Sequence, residues 1–100
     1  MASERDLILT LDAGTSGLKC NLFNARGEAV RTVRRAYGTE YPRHNWAEQD
    51  PNVILENVFS AIREALEQVG ARRIACVGLS GHMNGCIPVD ADGNALHPNI

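Results

Sequence analysis

The sequence predicts an α/β fold in which one helix packs on a mixed sheet, with elements in the order β-β-β-α-β-β. Two runs, 7–11 and 74–79, are almost continuously apolar, which is typical of strands buried on both faces. Between them, apolar residues recur at intervals of four and three, the spacing of one helix face. One helix covers only one face of such a sheet. We therefore expect an incomplete domain, completed by a longer chain or by a partner subunit.

The first half of the chain predicts three strands joined by short connections. The first strand, at 7–12, leads into a small loop, and the second follows at 19–24. A hairpin turn comes next, in which Gly27 can adopt a positive φ. Alternating and β-branched residues at 28–37 predict the third strand. The basic cluster of the chain is expected on the exposed side of that strand, at Arg31, Arg34 and Arg35.

The helix has clear signals at both ends. Asp50 is a good N-cap, and Pro51 suits the first helical position. Gly70 is expected as the residue that ends the helix in a left-handed conformation. The predicted buried stripe consists of Leu55, Phe59, Ile62, Leu66 and Val69.

Beyond the helix, the chain predicts an apolar strand at 73–80, a short strand at 86–89 and a turn at 90–94. At the other end, residues 1–6 are expected to form a flexible start.

Composition narrows the class of protein. A chain of 100 residues predicts one domain, and its net charge of −2 gives no electrostatic reason to expect nucleic acid or a membrane as partner. No apolar stretch reaches membrane-spanning length, and the polar start does not resemble a signal peptide. The cysteines are odd in number and lack C-x-x-C spacing, which favours reduced, buried thiols and a cytoplasmic protein. They are Cys20, Cys76 and Cys86.

The loop after the first strand is the best candidate for a binding site. Glycines allow close approach of the backbone and positive φ, and successive N–H groups form a concavity that suits phosphate oxygens. A carboxylate at the strand end can hold a hydrated Mg²⁺, and hydroxyls and a cation add further contacts. The residues are Asp12, Gly14, Thr15, Ser16, Gly17 and Lys19.

Two common phosphate motifs are absent from this loop. It has no Gly-Lys pair, so it is not a P-loop, and it has no G-x-G-x-x-G pattern. A strand follows it rather than a helix, so a helix dipole cannot contribute. From these residues alone, an ordinary hairpin turn made of small residues is an equally good interpretation.

Three segments together resemble the N-terminal part of the FGGY-family carbohydrate kinases, the group that contains xylulokinase and glycerol kinase. They are 11–16 with Lys19, then 41–51 with Trp46, then 78–85 with the turn that follows. The resemblance implies an actin-like ATPase fold, in which two RNase H-like halves hold ATP between them. It also implies phosphoryl transfer from ATP, with Mg²⁺, to a hydroxyl of a sugar or polyol.

The resemblance assigns roles to the first loop. Asp12 corresponds to the carboxylate near the Mg²⁺, which it is expected to hold through water. Thr15 and Ser16 correspond to hydroxyls that face the transferred phosphate, with Gly14 beside them in the cofactor-binding loop. Lys19 stands where an arginine or lysine is usual.

The resemblance also assigns substrate residues. Trp46 corresponds to an aromatic residue of the sugar site. Met83 and Asn84 stand where xylulokinases carry Met-His and glycerol kinases carry Arg-Glu. Met83 favours a ketopentose such as xylulose, whereas Asn84 matches neither group. In this family the catalytic base lies far downstream, so no catalytic residue is expected in this segment.

Three functions therefore stay open at this point. Residues 1–100 can be the N-terminal segment of a carbohydrate kinase that is inactive when isolated. Alternatively, they form a stand-alone, non-catalytic domain that binds phosphate or sugar or associates with itself. A third possibility is another actin-like ATPase, such as a chaperone, against which the aromatic residue Trp46 argues. The doubly apolar strands favour a homo-oligomer.

Overall fold

The computed structural model describes residues 5–44, 47–81 and 86–98. Within these residues, four strands form one sheet in the order β3-β2-β1-β4. β1 pairs antiparallel with β2, and β2 with β3, whereas β1 and β4 run parallel. This arrangement confirms the predicted mixed sheet with one helix. The elements are β1 (Leu7–Ala13), β2 (Gly17–Phe23), β3 (Ala29–Ala36), α1 (Pro51–Ala65) and β4 (Ile74–Ser80), with a 3₁₀ turn at Ala71–Arg73.

The predicted sixth element is not a strand. Val89 forms only an isolated bridge with Ala95, across the turn at 90–94. The physical reason is Pro88, which has no N–H to donate to a strand ladder. The turn itself is as predicted. The Asp90 carboxylate accepts hydrogen bonds from the amides of Asp92 and Asn94, both at 2.9 Å, and these bonds lower the pKa of Asp90.

The start of α1 follows the sequence prediction. Pro51 is the first helical residue, and the side chain of Asp50 accepts a hydrogen bond from the Asn52 amide at 2.9 Å. The helix ends earlier than predicted, at Ala65, so Gly70 is not the residue that ends it. Instead, Arg31 on β3 donates to the carbonyls of Glu64, Ala65 and Glu67 and so satisfies the helix end.

The predicted buried stripe is confirmed at Ile62, Leu66 and Val69 but is wrong at Leu55 and Phe59. Leu55 and Phe59 are each 51% exposed, while Ala61 and Ala65 are fully buried. Ile54, Val58, Ile62, Leu66 and Val69 pack against the same core. The alanines let the helix approach the sheet closely, which rotates Leu55 and Phe59 away from it.

The arginines of β3 occupy both sides of the sheet, contrary to the prediction that all are on an exposed side. Arg31 caps α1, and Arg35 pairs with Glu64 at 2.6 Å and with the Ser60 hydroxyl at 3.1 Å. Only Arg34 faces away from the helix, because side chains alternate along a strand. The helix and β3 are therefore joined by charged contacts as well as by apolar packing.

β4 leaves apolar side chains uncovered, as the sequence suggested. Val77 and Leu79 are exposed, Leu79 by 76%. Of the cysteines, Cys20 is buried, which raises its thiol pKa, but Cys76 and Cys86 are exposed, so the prediction of three buried thiols is wrong. Cys76 is exposed because it lies on β4, where only Ile74 packs against the core. Within the described ranges, no helix has the length and apolar character needed to cross a bilayer.

The uncovered strand leads to a prediction for the 100-residue chain. We expect it to self-associate through β4, since an open edge with exposed apolar side chains favours pairing with another strand. Light scattering after size exclusion should show dimers or larger species. Leu79→Lys should shift the chain towards monomer, whereas Leu96→Lys, an exposed leucine outside the sheet, should not. A wild-type monomer across the micromolar range would contradict the prediction.

Candidate functional site

The site begins with a row of polar side chains across the ends of the strands. Asp12 on β1 is paired with Lys19 on β2, and Lys19 with Arg34 on β3. On its other side, Asp12 is paired with Ser80 at the end of β4. Residues in register on neighbouring strands lie on one face, with Cβ atoms about 4.5–5.5 Å apart. The row Ser80–Asp12–Lys19–Arg34 therefore places one carboxylate between a hydroxyl and two cations.

This row lies on the face of the sheet opposite α1. The alternate residues of β1, Leu7, Leu9 and Leu11, are buried in the core with the helix. Asp12 and Lys19 are exposed, as are Arg34 and Ser80. Exposure leaves the carboxylate and the ammonium free to contact a charged ligand without the cost of burying them first.

A shallow cavity of about 380 Å³ lies beside the row. Its lining includes Asp12, Gly14, Ser16, Lys19, Arg34 and Arg35. The structure thus brings together four of the five cofactor-binding residues predicted from the sequence. The fifth, Thr15, is in the same loop but does not line the cavity. Arg34 and Arg35 were not predicted at the site, although strand alternation opposite Lys19 could have indicated Arg34.

The glycines of this loop act differently from the prediction. Neither Gly14 nor Gly17 has a positive φ. Gly17 is needed instead because β3 passes so close: a Cβ atom there would lie 2.3 Å from the Arg35 carbonyl oxygen. At Gly27, by contrast, the predicted positive φ is confirmed, at 81°.

Gly17→Ala should therefore destabilise the chain, because β2 and β3 must separate to accept the new methyl group. We expect a loss of roughly 1–3 kcal/mol in the free energy of unfolding, the usual cost of overpacking. Gly38→Ala is the matched control, since it has no atom within 4 Å and no positive φ. Urea unfolding of both variants checks this. Equal free energies of unfolding would contradict the prediction, because they would mean that β3 moves away from the new methyl group without loss of stability.

Two side chains that sequence reasoning did not single out hold the loop. The Tyr37 hydroxyl contacts the Gly14 carbonyl and, at 3.2 Å, the Gly17 carbonyl. The Gln49 amide donates to the Thr15 carbonyl and, at 3.1 Å, to the Thr39 hydroxyl. Alternation along β3 could have indicated that Tyr37 is buried, and a buried tyrosine hydroxyl usually has a partner. Nothing in the sequence pattern identifies the partner of Gln49.

The predicted substrate residues Trp46, Met83 and Asn84 lie outside the described residues. The chain on either side of them is placed. Glu48 pairs with Glu40 through two backbone hydrogen bonds, next to Gln49. Gly81 follows Ser80 at the strand end beside Asp12, since β4 and β1 run parallel. Both predicted substrate segments thus adjoin residues that contact or neighbour the loop.

The row is chemically suited to Mg²⁺. This ion is commonly held by one or two carboxylates together with water and substrate phosphates. Asp12 supplies an exposed carboxylate, with the Ser16 residue in the same cavity. Within the described ranges, no group of three or more candidate metal ligands is present. Asp12 would hold the ion, which would neutralise charge on the phosphates.

Comparison with known proteins identifies the family of this chain. Residues 7–100 match the model described as "FGGY family of carbohydrate kinases, N-terminal domain". The chain belongs to the FGGY family of carbohydrate kinases. This confirms the resemblance, and the site above lies within the matched range.

FGGY relatives support the same assignment. A xylulose kinase of Staphylococcus xylosus is 28% identical over 93% of this chain and 19% of its own length. A glycerol kinase of Thermococcus onnurineus is 33% identical over 93% of this chain and 19% of its own. The crystal structure of "a xyloylose kinase from Brucella ovis" superposes with a TM-score of 0.85 at 31% identity, covering 94% of this chain and 20% of that one. The chain thus spans about a fifth of the FGGY proteins it matches.

Proposed function

We propose that this chain forms the phosphate- and metal-binding part of an ATP-dependent carbohydrate kinase, which transfers the γ-phosphate of ATP to a hydroxyl of a sugar or polyol. The observation that carries the proposal is the row in which Asp12 pairs with Lys19 beside the loop at 14–16. Family membership supports it, because each relative named above is a kinase of such a substrate.

The residues present suit phosphoryl transfer, which depends mainly on positioning and charge neutralisation. Lys19 would contact phosphate oxygens as a point charge. Asp12 would hold the Mg²⁺, whose charge offsets that of the phosphates when it is bound. Ser16 lines the cavity and offers a hydroxyl and an amide. The base that accepts the substrate proton is proposed to lie in a part of the kinase outside these 100 residues.

For the substrate, we propose a ketopentose such as xylulose, held by Trp46, Met83 and Asn84. Two facts support it: Met83 matches the xylulokinase pattern, and the Staphylococcus xylosus relative is described as a xylulose kinase. An asparagine at position 84 can both donate and accept hydrogen bonds, so it can bind hydroxyls without a charge.

A substrate panel tests the function. A coupled assay of ADP release, run on the full-length protein that contains this chain, should show turnover with xylulose that exceeds turnover with glycerol or gluconate. The isolated 100-residue chain should stay at background with every substrate, because it lacks the proposed base. Glycerol as the sole substrate would contradict the proposal that the substrate is a ketopentose. ATP turnover by the isolated chain would contradict the proposal that the base lies outside these 100 residues.

Further aspects of the proposal rest on the sequence. We propose a cytoplasmic, homo-oligomeric kinase whose partners are ATP and a small carbohydrate, with neither nucleic acid nor membrane among them. The near-neutral charge gives no reason to expect nucleic acid or a membrane, and an odd number of cysteines without C-x-x-C spacing favours a reducing compartment.

A further inference from the structure

Two hydrogen bonds fix consecutive carbonyls of the phosphate loop. The Tyr37 hydroxyl donates to the carbonyl of Gly14, and the Gln49 side-chain amide donates to the carbonyl of Thr15. Both side chains are buried, Tyr37 being 8% exposed and Gln49 5%. The two anchors come from either side of the loop at 38–48, far from Gly14 and Thr15 in sequence.

Holding these carbonyls also directs the amides that follow them. In a planar trans peptide, the C=O and the next N–H point in opposite directions. The bond to the Gly14 carbonyl thus turns the Thr15 N–H away from Tyr37, and the bond to the Thr15 carbonyl turns the Ser16 N–H away from Gln49. Across the described part of the chain, the amides of Thr15 and Ser16 donate to no acceptor. Among the described residues, no acceptor competes with an anion for these two amides.

The Tyr37 hydroxyl stays a hydrogen-bond donor at working pH. Burial raises the pKa of Tyr37 above its ordinary value, and the negative charge of Asp12 raises it further. The hydroxyl therefore keeps its proton until the pH is well into the alkaline range.

We propose that Tyr37 and Gln49 are positioning residues that orient the Thr15 and Ser16 amides toward the transferred phosphate. This inference rests on the proposed kinase function and deepens it. Gln49 also bonds to Thr39 and follows the segment that contains Trp46.

Kinetics of the full-length kinase test the inference. Tyr37→Phe and Gln49→Met keep the shape of each side chain but remove the donor. We expect kcat to fall by roughly 10- to 100-fold, because small displacements of groups that stabilise a transition state are costly. The KM for sugar should change by less than about twofold, since the ground-state sugar contacts are untouched. The control Gln68→Met alters an exposed side chain outside the loop and the proposed sugar segment, and it should leave kcat at the wild-type value.

A second measurement does not depend on the folding of any variant. In amide NMR spectra of the wild-type full-length protein, Mg-ADP with aluminium fluoride, a mimic of the transferred phosphate, should shift the Thr15 and Ser16 resonances. No shift at either amide would overturn the inference. Wild-type turnover with an unchanged kcat in both folded variants would overturn it while leaving the kinase function standing. Absence of turnover by the wild-type protein with any sugar would contradict the proposed function itself.

Discussion

Asp12→Asn in the full-length kinase is expected to lower kcat by about 10²-fold or more, the typical effect of removing an electrostatic group that acts on the reacting centre. The asparagine side chain fits the same space at the end of β1 but carries no charge. It can no longer hold the Mg²⁺ by charge, and it is the Mg²⁺ that would offset the charge of the phosphates. Because Asp12 lies in the row on the open face rather than in the core, the fold should tolerate the change.

Steady-state kinetics with saturating sugar and ATP check this expectation. The KM for sugar should stay near the wild-type value, because the proposed sugar contacts lie elsewhere. Asp92→Asn is the matched control, since Asp92 is exposed on the turn at 90–94, remote in sequence from the loop. A wild-type kcat with a raised sugar KM would place Asp12 at the sugar rather than at the metal.

Lys19→Met should have the second largest effect. Lys19 is paired with Asp12 on β2, and its ammonium is exposed at the cavity. A hydrogen bond to a charged group is worth roughly 1.5–3 kcal/mol, so losing one to a phosphate should lower kcat/KM for ATP by about 10- to 100-fold. Methionine keeps the length and the apolar stem of the side chain.

The matched control for this change is Arg26→Met. Arg26 lies in the exposed hairpin turn between β2 and β3, at the end of the strands opposite Lys19. Its substitution by methionine removes one positive charge, as Lys19→Met does. Both variants lower the net charge equally, which separates a local contact from a general electrostatic effect. Equal kinetics for the two variants would contradict a phosphate contact by Lys19.

Local sequence patterns predicted much of the fold and part of the candidate site. Asp50 and Pro51 specify the start of α1 because capping depends on neighbouring residues. The strand–turn–strand pattern around Gly14 predicted the hairpin of β1 and β2, and the structure adds that Asp12 lies opposite Lys19 in it.

Features that depend on distant contacts were not predictable. Leu55 and Phe59 have helical spacing like the true core residues, and only the close approach of Ala61 and Ala65 to the sheet decides which face is buried. Position 17 requires glycine because the backbone of β3 lies so close to it. Tyr37 and Gln49 donate hydrogen bonds to carbonyls 20 or more residues away in sequence.

The central claim is that the phosphates of ATP and their Mg²⁺ bind beside the row of Asp12 and Lys19. A crystal structure of the full-length protein with Mg-ADP and xylulose tests it most directly. We expect the metal next to the Asp12 carboxylate, with the terminal phosphate of ADP facing Lys19 and the Ser16 amide. Nucleotide phosphates and metal bound elsewhere, with Asp12 contacting neither, would contradict the account.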